Sequence, residues 1–381
     1  MHVDVAVIGR GMIGAAAARH LAEGGTHVAL IGPPEPIDRM TSEGPFNSHP
    51  DEGRITRIAG RTGAWSELAA AAIGRYPDIA RRSGIAFHTP CGLVTGYHDA
   101  DSWIERARPL GSQARRVDAD WVRETTGIHI TSDLPLLHEP APAGHINPRR
   151  LVAAQTLLTA HAGGIVISQA ATALRRASGT YEIAGDWGGI TATRVLIATG
   201  AFGAHLIEAQ VAVERRPRTT VMAALAPDPS LPSLILDGPP DPRVSEIYWV
   251  PPVRFPDGVD RIKIGGTYTA SHDLETSDLV AWFHTDGDPD EAEALAANLH
   301  ALLPDASLGS HISAPCVVTA TATGHPFIGW VEGSDDLAVA IAGNGSAAKS
   351  SDEIGRIAAS LFGPDGWDSP ISHAEFAPRF L

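Results

Sequence analysis

Lysine is almost missing from this chain. Of its 29 basic residues only two are lysine, Lys263 and Lys349; the other 27 are arginine. Arginine is a permanently charged planar fork, whereas lysine is a compact ammonium with a tunable pKa, so some sites cannot accept the exchange. In a sequence this rich in Ala, Gly and Arg, the two surviving lysines are functional candidates; the alternative is two chance survivors on the surface. Cysteine is as scarce. Cys91 and Cys316 alone cannot make a disulfide framework, which predicts a reducing, cytoplasmic setting. No apolar run reaches the roughly 18 residues that span a bilayer, and the first residues read as a strand without a signal-peptide pattern. Positive charge is in deficit. A net charge of −15 argues against nucleic acid or an anionic membrane as partner. No metal site is expected.

What is present suits a globular protein of two domains with large cores: 381 residues, 44% hydrophobic and 19% charged. The most informative stretch comes first. An apolar run from Val3 to Ile8 enters Gly9-Arg10-Gly11-Met12-Ile13-Gly14, an alanine-rich helix follows, and a second apolar run ends at Ile31. In this pattern Gly9 allows the tight turn, Gly11 lets a pyrophosphate approach bare backbone, and Gly14 lets helix pack on strand. The N–H groups of the helix N-terminus, at Met12 and Ile13, then meet the phosphates. A dinucleotide site is expected here. The second strand should end in an acid for the ribose, but it runs into Gly32-Pro33-Pro34-Glu35. Glu35 is the substitute candidate, and the departure disfavours free NAD exchange more than FAD.

Further along, residues 63–83 read as a helix, 87–96 as a strand holding Cys91 in the core, and 102–111 and 118–126 as short helices. A helix is expected over 149–162, strands near 165–168, 173–177, 180–184 and 194–197, and a second glycine turn at Ala198-Thr199-Gly200. Strands at 219–226, 246–251 and 261–266 follow, with one helix over 289–303. The chain closes on strands 316–319 and 338–342, a Gly343-Asn344-Gly345 turn and a helix over 350–362. Nucleotide-binding signals at the start, middle and end, with a β-rich stretch between, predict two discontinuous domains with the active site where they meet. The expected boundaries are 1–85, 145–215 and 315–381 for the nucleotide domain, and 86–144 and 216–314 for the substrate domain.

Five segments together resemble the D-amino-acid-oxidase superfamily of FAD enzymes, and within it the monomeric sarcosine oxidase group with its N-methyltryptophan and fructosyl-amine oxidases. The glycine turn is the least specific of them. Ser48-His49-Pro50-Asp51-Glu52-Gly53-Arg54-Ile55-Thr56-Arg57 is similar to the family segment in which one arginine lies beside the flavin and the next pairs with the substrate carboxylate. That implies Arg54 for the flavin and Arg57 for the substrate, a role that a bidentate guanidinium fits. Arg261-Ile262-Lys263-Ile264-Gly265 resembles the segment whose lysine sits over the flavin N5 edge and assists the reaction with oxygen. The bland alternative is an edge-strand lysine that blocks aggregation. Pro315-Cys316-Val317-Val318-Thr319 resembles the segment whose cysteine is bonded to the flavin; a buried structural thiol is the alternative. Ala342-Gly343-Asn344-Gly345-Ser346-Ala347-Ala348-Lys349 resembles the turn that presents N–H groups to the flavin and ends in a lysine for the substrate carboxylate. Both lysines thus land on family functional positions.

The other departures bear on local contacts and on the substrate pocket. Thr267 stands where sarcosine oxidases carry a histidine, Thr323 replaces an aspartate, and the turn before Lys349 lacks the family's histidine and phenylalanine. Tyr248 and Trp249 either line the pocket or belong to the aromatic core. The resemblance implies an α/β fold: an FAD-binding Rossmann-like (GR2-type) domain with an inserted α+β substrate domain on an antiparallel sheet. It also implies an amine oxidase acting on the C–N bond of a secondary or cyclic amino acid, giving an imine and H2O2, with covalent FAD through Cys316. The expected partners are a small amine or amino acid and O2, and the expected state is a monomer or small homo-oligomer. The other readings are an FAD dehydrogenase that passes electrons to a carrier, and a non-catalytic flavoprotein or partner subunit.

Overall fold

Two eight-stranded sheets carry the chain, with a three-stranded sheet between their connections. The computed structural model describes residues 1–36, 38–48, 51–207, 210–270 and 272–381. In the first sheet the buried strand His2–Ile8 lies between Val28–Ile31 and Gly188–Ile197, parallel to both. Ile165–Ile167 extends one side, and Leu337–Ile341 pairs in parallel with the end of Gly188–Ile197. Two antiparallel strands, Thr180–Gly185 and Ala173–Ala177, finish the other side. A parallel sheet needs both faces covered, which is why its central strands read as unbroken apolar runs.

Helices Met12–Glu23 and Ser351–Ser360 pack together on this sheet, and small residues set their spacing. A Cβ on Gly355 would lie 2.6 Å from that of Ala16, so the alanine run is what lets the two backbones approach.

The second sheet is mostly antiparallel. Its strands run His311–Ala320, Glu214–Ala224, Asp260–Tyr268, Val244–Arg254, Ser233–Asp237, Leu93–Gly96, Leu136–Glu139 and Arg115–Val117 in spatial order. One face buries Trp249, Ile262 and Ile264 against Leu295, Leu299 and Leu302 of helix Pro289–Leu302. Because side chains alternate along a strand, Lys263 points away from that helix. The third sheet pairs Arg54–Thr56 and His88–Thr89 with Gly144–Ile146.

Helix Gly63–Ser83 has the bounds expected, capped by Thr62, whose hydroxyl accepts from Trp65 N. Asn147 caps helix Pro148–His161 by accepting from Arg150 N at 3.0 Å. The expected strand over 87–96 is corrected to two short strands, His88–Thr89 and Leu93–Gly96, broken at Pro90-Cys91-Gly92. Gly92 takes φ +80 there, and Cys91 is half-buried instead of a core residue. The run 194–197 is the end of a ten-residue strand. Strands 115–117, 136–139, 144–146, 233–237 and 327–330 carry no period-two signal long enough to mark them. Among the described residues no helix is long and apolar enough to cross a membrane.

One buried carboxylate ties four helices together. Asp352, fully buried, accepts from Arg19 at 2.7 Å, Gln155 at 2.8 Å and Arg75 at 2.6 Å, with His20 at 3.3 Å. Burial alone would raise its pKa, but His20, Arg19 and Arg75 hold it well below the usual carboxylate range. A carboxylate so depressed adds stability above its unfolded pKa, near 4, and that stability is lost as pH falls through the folded value. Asp352→Ala strands buried cations and is expected to cost about 3–5 kcal/mol, read from a denaturant titration; a loss under about 1 kcal/mol would refute the hub.

Candidate active site

The glycine turn is built as its sequence requires. Gly9 has φ +116, and a Cβ there would sit 2.3 Å from Ala198 O; one on Gly14 would lie 1.9 Å from Gly9 O. Gly11 is different. It has ordinary φ, its Cβ would meet only Asn47 Oδ1 at 3.7 Å, and helix Met12–Glu23 starts there without a side-chain cap. The first turn of that helix, at Met12 and Ile13, therefore faces a space that bare backbone lines. Gly200, at φ +60, has open space around it at the end of strand Gly188–Ile197. A Cβ on Gly32 would collide with Arg10 N at 2.6 Å, which is the physical reason no acid stands at the strand end. Glu35 lies nearby instead, accepting from Asn47 N at 3.1 Å. Burial pushes its pKa up, against the pull of Asn47, Arg149 and Arg54.

Arg54 and Lys263, far apart in sequence, meet at Asp51. The Lys263 ammonium lies 2.9 Å from Asp51 Oδ2 and donates to Gly53 O at 3.0 Å; Arg54 bonds Asp51 Oδ1 and Gly53 O. All three side chains are buried. Burial lowers Lys263 to about 8, Arg54 adding to the effect and Asp51 opposing it. Tyr248 stacks under this ammonium, 5.0 Å from it, and burial raises its phenol well above 10. Gly265 makes room for it, since a Cβ there would lie 2.5 Å from the phenol oxygen. Tyr248 thus belongs with Lys263 and not with the cleft wall described below.

Cys316 is fully buried on strand His311–Ala320, opposite Arg218. Burial pushes its thiol up to about 12, and the charges that pull it back are Lys263 and Arg54. Both cysteines are free. The segment 342–349 winds back against the same strand: Asn344 N donates to Thr319 O at 2.8 Å and Gly343 N to Thr319 Oγ1 at 3.3 Å. Ala342, Asn344 and Gly345 all have positive φ, a tight turn in which Ser346 O then accepts from Lys349 Nζ at 2.8 Å.

Arg57 and Lys349 form a second cationic group. Each lies over an indole, Arg57 over Trp103 at 4.9 Å and Lys349 over Trp65 at 5.2 Å. Their other bonds go to carbonyls, Ala59 O and Ser346 O. Among the described residues neither has a carboxylate within 4 Å. Burial lowers Arg57 to about 10, and burial with the charge of Arg57 carries Lys349 well below its usual range. The nearest acid, Glu139, is already engaged by Ile58 N, Ala59 N and Ser112 Oγ. In front of Trp103 opens a cleft of about 470 Å³ whose wall includes Arg61, Tyr97, Glu246 and Thr267.

Asp51, Trp65, Trp103 and Glu246 were not singled out by the sequence. The only local signal was the spacing of Asp51 and Arg54, three residues apart. His49 and Pro50 of the same segment lie outside the described residues.

The family model described as FAD dependent oxidoreductase (DAO) matches residues 4–361. This chain belongs to that family. Comparison with curated protein sequences gives no match. Among solved structures, this DAO-family chain resembles NikD, an unusual amino acid oxidase essential for nikkomycin biosynthesis, in its open form. The TM-score is 0.80 at 18% identity, over 100% of this chain and 98% of that one. It resembles L-proline dehydrogenase from P. horikoshii (TM-score 0.75, 15% identity, 97% and 95% covered) and glycine oxidase from Geobacillus kaustophilus (0.73, 19%, 99% and 98%). At such identities the likeness shows the fold. The flavoprotein's own residues fit FAD: Gly11 leaves the approach that a Cβ would fill, and the uncapped helix start suits a pyrophosphate.

Proposed function

We propose that this DAO-family enzyme oxidises the C–N bond of a secondary or cyclic amino acid, in the manner of the sarcosine oxidases, and yields an imine and H2O2. The observation that carries the reading is the pair of buried cations, Arg57 and Lys349, that have no carboxylate within 4 Å among the described residues. Two such charges are costly unless a ligand neutralises them, and a substrate carboxylate does so with bidentate geometry at Arg57. The fold-level neighbours that are named amino acid oxidases support the same class.

FAD, when bound, accepts the hydride equivalents from the substrate and passes the electrons on to oxygen. Gly9, Gly11, Met12, Ile13, Gly14 and Gly200 would hold its nucleotide end, with Glu35 beside them; Arg54, Gly343, Asn344, Gly345 and Ser346 would line its ring end. Arg57 and Lys349 fix the carboxylate, and the indoles of Trp103 and Trp65 keep water from the two cations. Lys263 keeps a proton on Nζ at neutral pH, held in place by Asp51, and so presents positive charge where oxygen is reduced. Cys316 is the proposed attachment point. The division into domains at 1–85, 145–215 and 315–381 against 86–144 and 216–314 is part of the same proposal, as are Thr267 in the substrate pocket, a cytoplasmic location and a monomer or small homo-oligomer.

Three measurements test this. With N-methyl amino acids and cyclic imino acids as substrates, H2O2 formation is expected for the free acids and not for their amides. Arg57→Met should lower kcat/KM at least about thirtyfold, mainly through KM; equal turnover of acid and amide would sink the carboxylate role. Reoxidation of the reduced enzyme by oxygen should slow as pH rises through about 8, because the ammonium of Lys263 is the form lost on that side. Lys263→Met should be slow and flat across the same range, and an unaltered rate in that variant would exclude the assignment. After acid precipitation the wild-type pellet should stay yellow and that of Cys316→Ser should not; a colourless wild-type pellet would refute the covalent bond.

A further inference from the structure

The cleft in front of Trp103 has a charge pattern that the carboxylate site behind it does not account for. Asp237 and Glu246 stand directly opposite each other on paired antiparallel strands, and both line the cleft together with Asp99. Like charges in that relation repel and weaken the sheet. Arg61 answers only one of them, bonding Glu246 and the Tyr97 hydroxyl while lying 5.0 Å over the Tyr97 ring. Asp99 is more than half exposed, with Arg106 at 3.8 Å. Among the described residues Asp237 has no basic group within 4 Å.

An independent observation says that a ligand belongs here. Trp103 also lines the cleft, is 1% exposed, and its indole Nε1 has no hydrogen-bond partner among the described residues. Arg57, nine-tenths buried over that same indole, has no carboxylate within 4 Å among them. The cleft therefore sets three carboxylates, Asp99, Asp237 and Glu246, against one lining guanidinium, Arg61, and shares with Arg57 an indole whose donor is unanswered. The seat that Arg61 occupies, a phenol face beside a carboxylate, also has the chemistry that recognises guanidinium or ammonium groups.

We infer that the secondary or cyclic amino acid proposed above carries a basic side chain, its carboxylate at Arg57 and Lys349 and its side chain ending in a cation that Asp237, Glu246 and Asp99 receive. This rests on the carboxylate role proposed above. A zwitterion with an additional distal cation is oriented by such a field before it docks, carboxylate inward.

The test uses three carboxylates of one chain length that lack an α-amine and so bind without reacting: 6-aminohexanoate, hexanoate and adipate, titrated calorimetrically into the FAD-loaded enzyme. We expect 6-aminohexanoate to bind about tenfold more tightly than hexanoate, with adipate weakest. Asp237→Asn should cut that preference to about threefold while leaving hexanoate affinity unchanged. The same variant should melt at or above the wild-type temperature, since a repulsion is relieved, which separates a binding effect from misfolding. Hexanoate or adipate binding as tightly as 6-aminohexanoate, with hexanoate affinity lost in Arg57→Met, would overturn the inference and leave the carboxylate site standing. Weakening of hexanoate and 6-aminohexanoate alike by Asp237→Asn would also overturn it. Failure of all three to bind, or binding indifferent to Arg57→Met, would remove both.

Discussion

The reactive end of this protein depends on one buried anion. Lys263 and Arg54 come from different sheets into a space that excludes water, and two cations there would drive each other apart without Asp51 between them. Breaking such a group by removing one partner is costly, about 3–5 kcal/mol, because the remaining charges stay buried and uncompensated. The neighbours of Asp51 each serve the same placement. Gly53 gives its carbonyl to both cations, and it has to be glycine because a Cβ would meet Val250 at 2.7 Å. Glu52 accepts from Asn147 at 2.6 Å with Arg149 at 3.3 Å, which anchors the segment to the start of helix Pro148–His161.

The two lysines sit in different electrostatic settings. Lys263 has an internal counterion and a pKa near neutrality, so it is a fixed charge that can also lose its proton. Lys349 has an indole and a carbonyl but, among the described residues, no acid within 4 Å, and the Tyr76 hydroxyl donates to the Lys349 carbonyl at 2.5 Å. On the proposed reading its charge serves the substrate carboxylate. A guanidinium, always ionised, has no proton to lose in the way that Lys263 does.

Much of this was legible in the sequence because local chemistry dictated it. Gly9 and Gly14 are forced by close backbone contacts, helix Gly63–Ser83 by its period and cap, and the two lysines by their rarity. The groups that complete the site were not legible, because they depend on which strands become neighbours. Trp103, on the helix after Leu93–Gly96, and Glu246 come to line one cleft because Leu93–Gly96 pairs in parallel with Ser233–Asp237. That is a long-range contact no periodicity encodes. Asp51 stood within a recognised segment, but its burial between two cations became visible only once strand Asp260–Tyr268 was placed over it. The expected strand over 87–96 failed for a local reason, the Pro90-Cys91-Gly92 break, which an unbroken apolar count overlooks.

Elsewhere this fold answers some buried carboxylates several times over. Asp352 is shared among Arg19, Arg75, His20 and Gln155, and Glu139 takes three donors. A chain able to arrange that has no structural need to leave Arg57 and Lys349 without an acid, or to set Asp237 against Glu246. Each exception costs stability, and the two meet at Trp103, which Arg57 covers and which lines the cleft of Asp237 and Glu246. On the proposed reading these two groups mark the charges of the substrate: negative at Arg57 and Lys349, and positive where Asp237 and Glu246 face each other.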